Sequence, residues 1–250
     1  ALETIHAGLR QTRWDDTLHY TLALIYQRLG QPELAEEEFR TSERLKAADL
    51  ETVRRLLTCS QHLGKGEREE ALRIRRQLLE SPQVDPEALV ALGVLLGNAG
   101  LTAEALEPFQ IACQRKPNLF QAQYNSGLTL LRLRRAAEAE VPLRKALELI
   151  PHSFDANSAL ALAYLAQNRY QEAIAPLEAA QRVRPGNTRI LGLLGTAHLR
   201  LRSPQKAVPV LRRAVSASPS DAKLYFLLLE SLQAAREEAA ALNVAREAPR

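Results

Sequence analysis

An all-α fold, built as a solenoid of antiparallel helix pairs, is predicted by three observations. Written in blocks of 34 residues from Asp16, the chain falls into register with itself. One position of every block, the twentieth, is Ala: Ala35, Ala71 (after allowing for a two-residue insertion), Ala105, Ala139, Ala173, Ala207 and Ala241. Ala, Leu, Glu and Arg dominate the composition, aromatic residues make up only 5% and β-branched runs are scarce, which favours helix throughout.

The register sets the domain organisation, a single solenoid over residues 1–250 of about seven repeats plus a partial N-terminal helix. Residues 1–15 read as the second helix of a truncated upstream repeat, with Trp14 as part of a cap or of an exposed apolar end. Repeats follow at 16–49, 50–85, 86–119, 120–153, 154–187 and 188–221, and 222–250 is a partial C-terminal copy. The 50–85 repeat is degenerate and two residues longer.

Each element of a repeat has a physical reason. Position 8 is small in most blocks (Ala23, Gly93, Gly127, Ala161, Gly195), and with the Ala of position 20 it marks where helix A and helix B cross closely. Larger apolar residues surround the crossing: Leu22, Leu92, Leu160 and Leu194 at position 7, and Phe39, Phe109, Leu143, Leu177 and Leu211 at position 24. Their spacing gives one apolar stripe per helix, which only a stacked neighbour can bury. Asp15, Asp49, Asp85, Ser153, Asn187 and Asp221 at position 34 are expected to cap helix A, with Asn118 one residue early in its block. Pro117, Pro151, Pro185 and Pro219 end helix B. Pro108, Pro142, Pro176 and Pro209 fall inside helix B, where each frees a carbonyl, those of Glu104, Glu138, Glu172 and Gln205, for hydration near the helix start.

Leu-Gly at positions 7 and 8, Tyr at 11, Gly at 15 (Gly30, Gly64, Gly100), Ala at 20, an aromatic or Leu at 24, Ala at 27 and Pro at 32 resemble the tetratricopeptide repeat over nearly the whole chain. The resemblance implies a right-handed superhelix and a protein-binding role, with helix A lining a concave groove to which positions 2, 5, 9, 12 and 13 contribute, and position 6 in the relatives that bind through an asparagine there. Carried over, these give Val90, Val94, Tyr124, Asn125, Leu128, Leu131, Arg132, Ser158, Leu162, Leu165, Arg189, Leu199 and Arg200 as the candidate groove. The groove reads as apolar with a basic edge, an exposed strip of the kind that marks a binding surface. The expected function is that of a scaffold or adaptor for a protein or peptide with apolar anchors and acidic residues. The alternative is a docking or regulatory arm of a larger envelope, secretion or enzyme assembly. The carboxylate clamp of chaperone-binding relatives is not expected, because Val90 and Val94 stand where it needs a cation and an amide. An asparagine ladder at position 6 is also missing, since Thr21, Ala91, Ala159 and Leu193 occupy that position.

Composition argues against other classes. A net charge of +4, with Arg and Glu interspersed, is a solvated helical surface and not a nucleic-acid footprint. Cys59 and Cys113 form no disulfide framework or metal motif, and are expected as small buried residues. The five histidines are scattered, and His198 stands at position 11, where Tyr is usual, so it is assigned to packing. No catalytic motif occurs, and neither enzyme activity, cofactor nor metal is expected. No apolar segment approaches the ~20 residues of a membrane span. With no Met and with Ala1 inside a helix, the chain reads as a piece of a longer protein, of bacterial type, either cytoplasmic or periplasmic.

Overall fold

The computed structural model describes residues 2–11 and 15–249; Ala1 and Trp14 lie outside the described residues. Among these residues are fourteen α-helices and no strand. They are α1 (Leu2–Gln11), α2 (Asp16–Arg28), α3 (Pro32–Gly64), α4 (Arg68–Glu80), α5 (Pro86–Asn98), α6 (Thr102–Arg115) and α7 (Phe120–Arg132), then α8 (Ala136–Leu149), α9 (Phe154–Ala166), α10 (Tyr170–Val183), α11 (Thr188–Arg200), α12 (Pro204–Ala217), α13 (Ala222–Ala234) and α14 (Glu238–Glu247). The helices gather into two compact units, residues 1–117 and 118–250.

Close crossings hold the pairs together. In the first unit a Cβ added to Gly93 of α5 would lie 2.6 Å from the Phe109 ring of α6. In the second unit one added to Gly127 of α7 would lie 2.5 Å from Leu143 Cγ of α8, and one added to Gly195 of α11 would lie 2.4 Å from Leu211 Cγ of α12. The small residue is therefore what lets the partner side chain seat, and Phe109, Leu143 and Leu211 are buried there. The alanines of position 20 from Ala35 to Ala241 are all buried.

Side-chain caps start α2, α5, α9, α11 and α13. Asp15 accepts from the Thr17 and Leu18 N–H groups, and Asn187 accepts from Ile190 at 3.0 Å; Asp85, Ser153 and Asp221 act alike. Two expected caps are corrected. Asn118 caps nothing, since Leu119 occupies the N-cap of α7 without a side-chain bond. Asp49 lies inside α3, a 33-residue helix that runs without a break through the expected boundary. Around Asp49 the chain reads Lys-Ala-Ala-Asp-Leu-Glu-Thr, with neither Pro nor Gly to interrupt a helix.

The turn from helix A to helix B is closed each time by the same pair of backbone bonds. After α7, Arg134 N–H donates to Leu131 O and Arg135 N–H donates to Leu130 O, with Arg134 left-handed at φ 59°. This is the Schellman closure. In the first unit glycines take the left-handed place, namely Gly30, Gly66 and Gly100. Gly66, not Gly64, serves the degenerate repeat; Gly64 is the last residue of α3.

The internal prolines sit within α6, α8, α10 and α12. The carbonyl freed at Glu104 is not left to water, because Arg75 of α4 donates to it from Nε at 2.9 Å. Arg115 of α6 likewise donates to Val84 O at 2.8 Å, tying the loop before α5 to the end of α6.

Candidate functional site

In the second unit the odd-numbered helices α7, α9, α11 and α13 are the A helices that carry the expected binding positions. α7 packs on α9, and α11 on α13. Tyr124 is half-buried, its ring stacked on Phe120 at 5.8 Å between centroids. Burial raises its phenol pKa, Asp155 of α9 adds to the rise and Arg132 opposes it. Asp155 and Arg132 thus both lie near enough to Tyr124 to act on its phenol. Arg132 itself is exposed, while Asn125, Leu128 and Leu131 are half-buried.

On α9, Leu162 and Leu165 are also half-buried, and Ser158 spends its hydroxyl on the Phe154 carbonyl at 2.6 Å. On α11, Arg189 and Arg200 are exposed. Leu199 is half-buried and packs on the cluster that Leu211, Tyr225, Leu228 and Leu232 form among α12 and α13. The five leucines thus form a half-buried seam of register positions and not the exposed strip expected from sequence. In the first unit Val94 is 39% exposed, but Val90 is buried in α5 and offers little to a partner.

Two features escaped the sequence reading. Phe226, 66% exposed, holds position 5 on α13; extending the register one block further would have found it. A cleft of about 270 Å³ opens between α11 and α13, lined by Leu193, Leu224 and Leu227 together with two cations, Arg189 and Lys223, and one carboxylate, Asp221. Gly192 makes this approach possible, since a Cβ there would meet Leu224 Cδ2 at 3.0 Å. No hydroxyl points freely into the cleft from Thr196, which donates to Gly192 O at 2.8 Å.

A separate polar cluster joins α8, α9 and α10. The Tyr164 hydroxyl accepts from Arg144 Nη2 at 2.8 Å and donates to Glu140 Oε1 at 3.1 Å. The Arg169 guanidinium lies 4.6 Å from the Tyr164 ring centroid and binds both Glu140 and Glu172. Its hydrogen bond holds the Glu140 carboxyl below the ordinary carboxylate range, with Tyr164 adding to the effect. Cys59 is buried, and burial pushes its thiol pKa up; Cys113 is only half-buried. Among the described residues no group of three or more His, Cys, Asp or Glu is placed to hold a metal, and no helix is long and apolar enough to cross a membrane.

Paired helices with small-residue crossings, Schellman turns and an A-helix face in register define a helical-repeat protein. The tetratricopeptide repeat profile matches residues 61–119, 158–222 and 193–250, and a second profile of the same repeat matches 17–49. The chain belongs to the tetratricopeptide repeat family, whose helix pairs serve as scaffolds for protein–protein interaction. Among solved structures, it is similar to MamA 41-end from Desulfovibrio magneticus RS-1, at 24% identity and TM-score 0.57, over 68% of this chain and 96% of that one. A further crystal structure of MamA aligns at 17% identity and TM-score 0.62, over 65% and 88%. At these identities the likeness is one of fold. No curated protein matches the chain.

Proposed function

We propose that the second unit binds a segment of a partner protein along the A-helix faces of α7, α9, α11 and α13, with apolar anchors on the leucine seam and acidic groups toward its C-terminal end. The observation that carries this reading is the cleft between α11 and α13, where the apolar lining meets Arg189 and Lys223, two cations against the single carboxylate of Asp221. Neither cation is engaged in an ion pair among the described residues. Position 2 of successive A helices reads Gln121, Asp155, Arg189, Lys223, so positive charge accumulates toward α13. Charge of this order selects partner and orientation more than it adds affinity. Phe226, one residue before Leu227 of the cleft lining, supplies a large exposed aromatic, a residue type enriched at protein interfaces.

The test is selection of binders from a random peptide library on the intact chain, followed by affinity measurement on variants whose helicity is first verified. Leu162→Glu and Gly192→Leu, which charge the seam and fill the cleft, are expected to weaken the selected peptides at least tenfold. Val141→Glu, on α8 and already 62% exposed, is expected to leave them unchanged. Peptides indifferent to the first two variants, or weakened by the third, would refute the groove.

A further inference from the structure

The A-to-B turns of the two units solve one geometric problem in different ways. In the first unit every left-handed turn residue is glycine: Gly30, Gly66 and Gly100. In the second unit none is; Arg134, Asn168, Arg202 and Arg236 hold φ of 59°, 58°, 54° and 61°. An L side chain is strained in this conformation and glycine is not; Asn tolerates it better than most residues. Three repeats therefore carry a strained arginine where the fold would be better served by glycine.

The backbone N–H groups of these arginines close the turns, as those of glycines would, but their side chains do nothing visible for the fold. Arg134, Arg202 and Arg236 are exposed, and none forms an ion pair among the described residues. Backbone strain that the fold does not require points toward function.

We infer that this row of turn arginines is a docking edge for an acidic, extended segment of a partner polypeptide, lying outside the leucine seam and independent of it. The same edge already shows the mode of recognition. Arg135 grips Glu138 through Nε and Nη2 at 2.7 and 2.6 Å, and Arg169 binds Glu172 and Glu140. The guanidinium fork matches a carboxylate with two parallel bonds. Glu138, Glu172, Glu237 and Glu238 interrupt the row. Three of these carboxylates are spent on Arg135, Arg169 and Arg212, so the free positive charge stands at separated points, which suits a polypeptide that spaces its carboxylates better than a continuous phosphate array such as a duplex or an anionic bilayer. The one neutral position fits the pattern, since Asn168 is engaged within the chain, accepting from the Tyr170 hydroxyl at 2.8 Å.

The experiment replaces all three, Arg134→Gly, Arg202→Gly and Arg236→Gly, in the intact chain. The probe is a fluorescein-labelled peptide of alternating Glu and Ser, with its Gln-for-Glu counterpart as control. Relief of strain is expected to raise the thermal midpoint of the triple variant, so any lost binding is not lost folding. Affinity for the Glu peptide is expected to fall about tenfold, in keeping with three exposed ion pairs of modest strength, and the Gln peptide is expected to bind neither protein. Leu162→Glu is expected to leave this binding intact, which separates failure of the edge from failure of the groove. Equal affinity of wild type and triple variant, or no binding of the Glu peptide to wild type, would overturn the inference. So would arginine-dependent binding of phosphatidylserine-containing vesicles or duplex DNA without binding of the peptide. Self-association lost in the triple variant would also overturn it, by making a second copy the occupant.

Discussion

A single methyl group at the crossing of α11 and α12 tests how closely the helix pairs are packed. A Cβ on Gly195 would lie 2.4 Å from Leu211 Cγ, 2.5 Å from its Cδ2 and 2.9 Å from its Cδ1. Leu211 is fully buried, so its side chain cannot swing into solvent and the helices must part. Overpacking of this kind costs ~1–3 kcal/mol, while replacing a mid-helix glycine by alanine returns ~1 kcal/mol. Gly195→Ala is therefore expected to destabilise the chain by about 1 kcal/mol net. Leu211→Ala removes the opposing atoms and costs about 2–5 kcal/mol on its own. In that background the clash is gone, and Gly195→Ala should become stabilising by about 1 kcal/mol. The sign reversal corresponds to a coupling of about 2 kcal/mol, within the range for side chains in direct contact. Urea unfolding followed by circular dichroism, compared at matched slopes, measures all four corners of the cycle. Additivity within about 0.5 kcal/mol would show that the contact between Gly195 and Leu211 does not limit the crossing.

Three further outcomes follow from particular residues. Leu50 is 73% exposed in mid-α3, so Leu50→Pro loses little burial but breaks the interior of a continuous helix, costing about 3 kcal/mol; an unchanged urea midpoint would mean that the helix restarts after Asp49, where a first-position proline is tolerated. Asn187→Ala removes the cap bond to Ile190 and should cost about 1 kcal/mol in urea unfolding, whereas Asn118→Ala, which removes no cap, should be neutral by the same measurement. Burial, with Lys206 adding and Glu178 opposing, holds the His198 imidazole below the ordinary histidine pKa. Unfolded His198 thus takes up its proton at higher pH than folded His198, and its contribution is fully present above the ordinary value and lost as pH falls toward the depressed one. The urea midpoint should drop on acidification through that window, and drop less in His198→Tyr; an equal drop in both would place the pH dependence elsewhere.

What the sequence made legible was local. A cap such as Asp15 or Asn187 and the N–H it receives lie within three residues of each other, and a crossing needs only a small residue at a fixed place in the period. Asp49 misled because a good capping residue permits a helix start without forcing one; the later boundaries also carry Pro117, Pro151, Pro185 and Pro219, and this one has no such breaker. Gly64 misled because two glycines stand two residues apart in the lengthened repeat, and only the backbone shows that Gly66 turns left-handed. The bond from Arg75 to the carbonyl freed at Glu104 joins groups far apart in the chain, and no periodic pattern announces it. The candidate groove was legible as a set of register positions but not as a degree of exposure. Whether Leu128 or Leu162 is bare depends on which groups the fold brings against it, and the period does not state that.

The comparison of Tyr164 with His198 shows where individuality resides in such a chain. Both hold position 11, one repeat apart, and both are buried. One repeat on, the partners of Tyr164 are replaced: Glu140 by Ile174, Arg144 by Glu178 and Arg169 by Ser203, while Glu172, which pairs with Arg169, gives way to Lys206. The hydroxyl of Tyr164 is held between a carboxylate and a guanidinium. The imidazole of His198 instead faces one carboxylate that favours its proton and one ammonium that opposes it, and burial decides for the neutral form. Backbone register survives these exchanges because positions 8, 20 and 24 fix the crossing whatever surrounds it. Positions that do not bear on the crossing are free to diverge, and they do: glycine to arginine at the turns, and glutamine to lysine along position 2. The chemistry available to a partner is therefore written in the departures from the repeat, and the shared positions supply the frame that holds those departures in order.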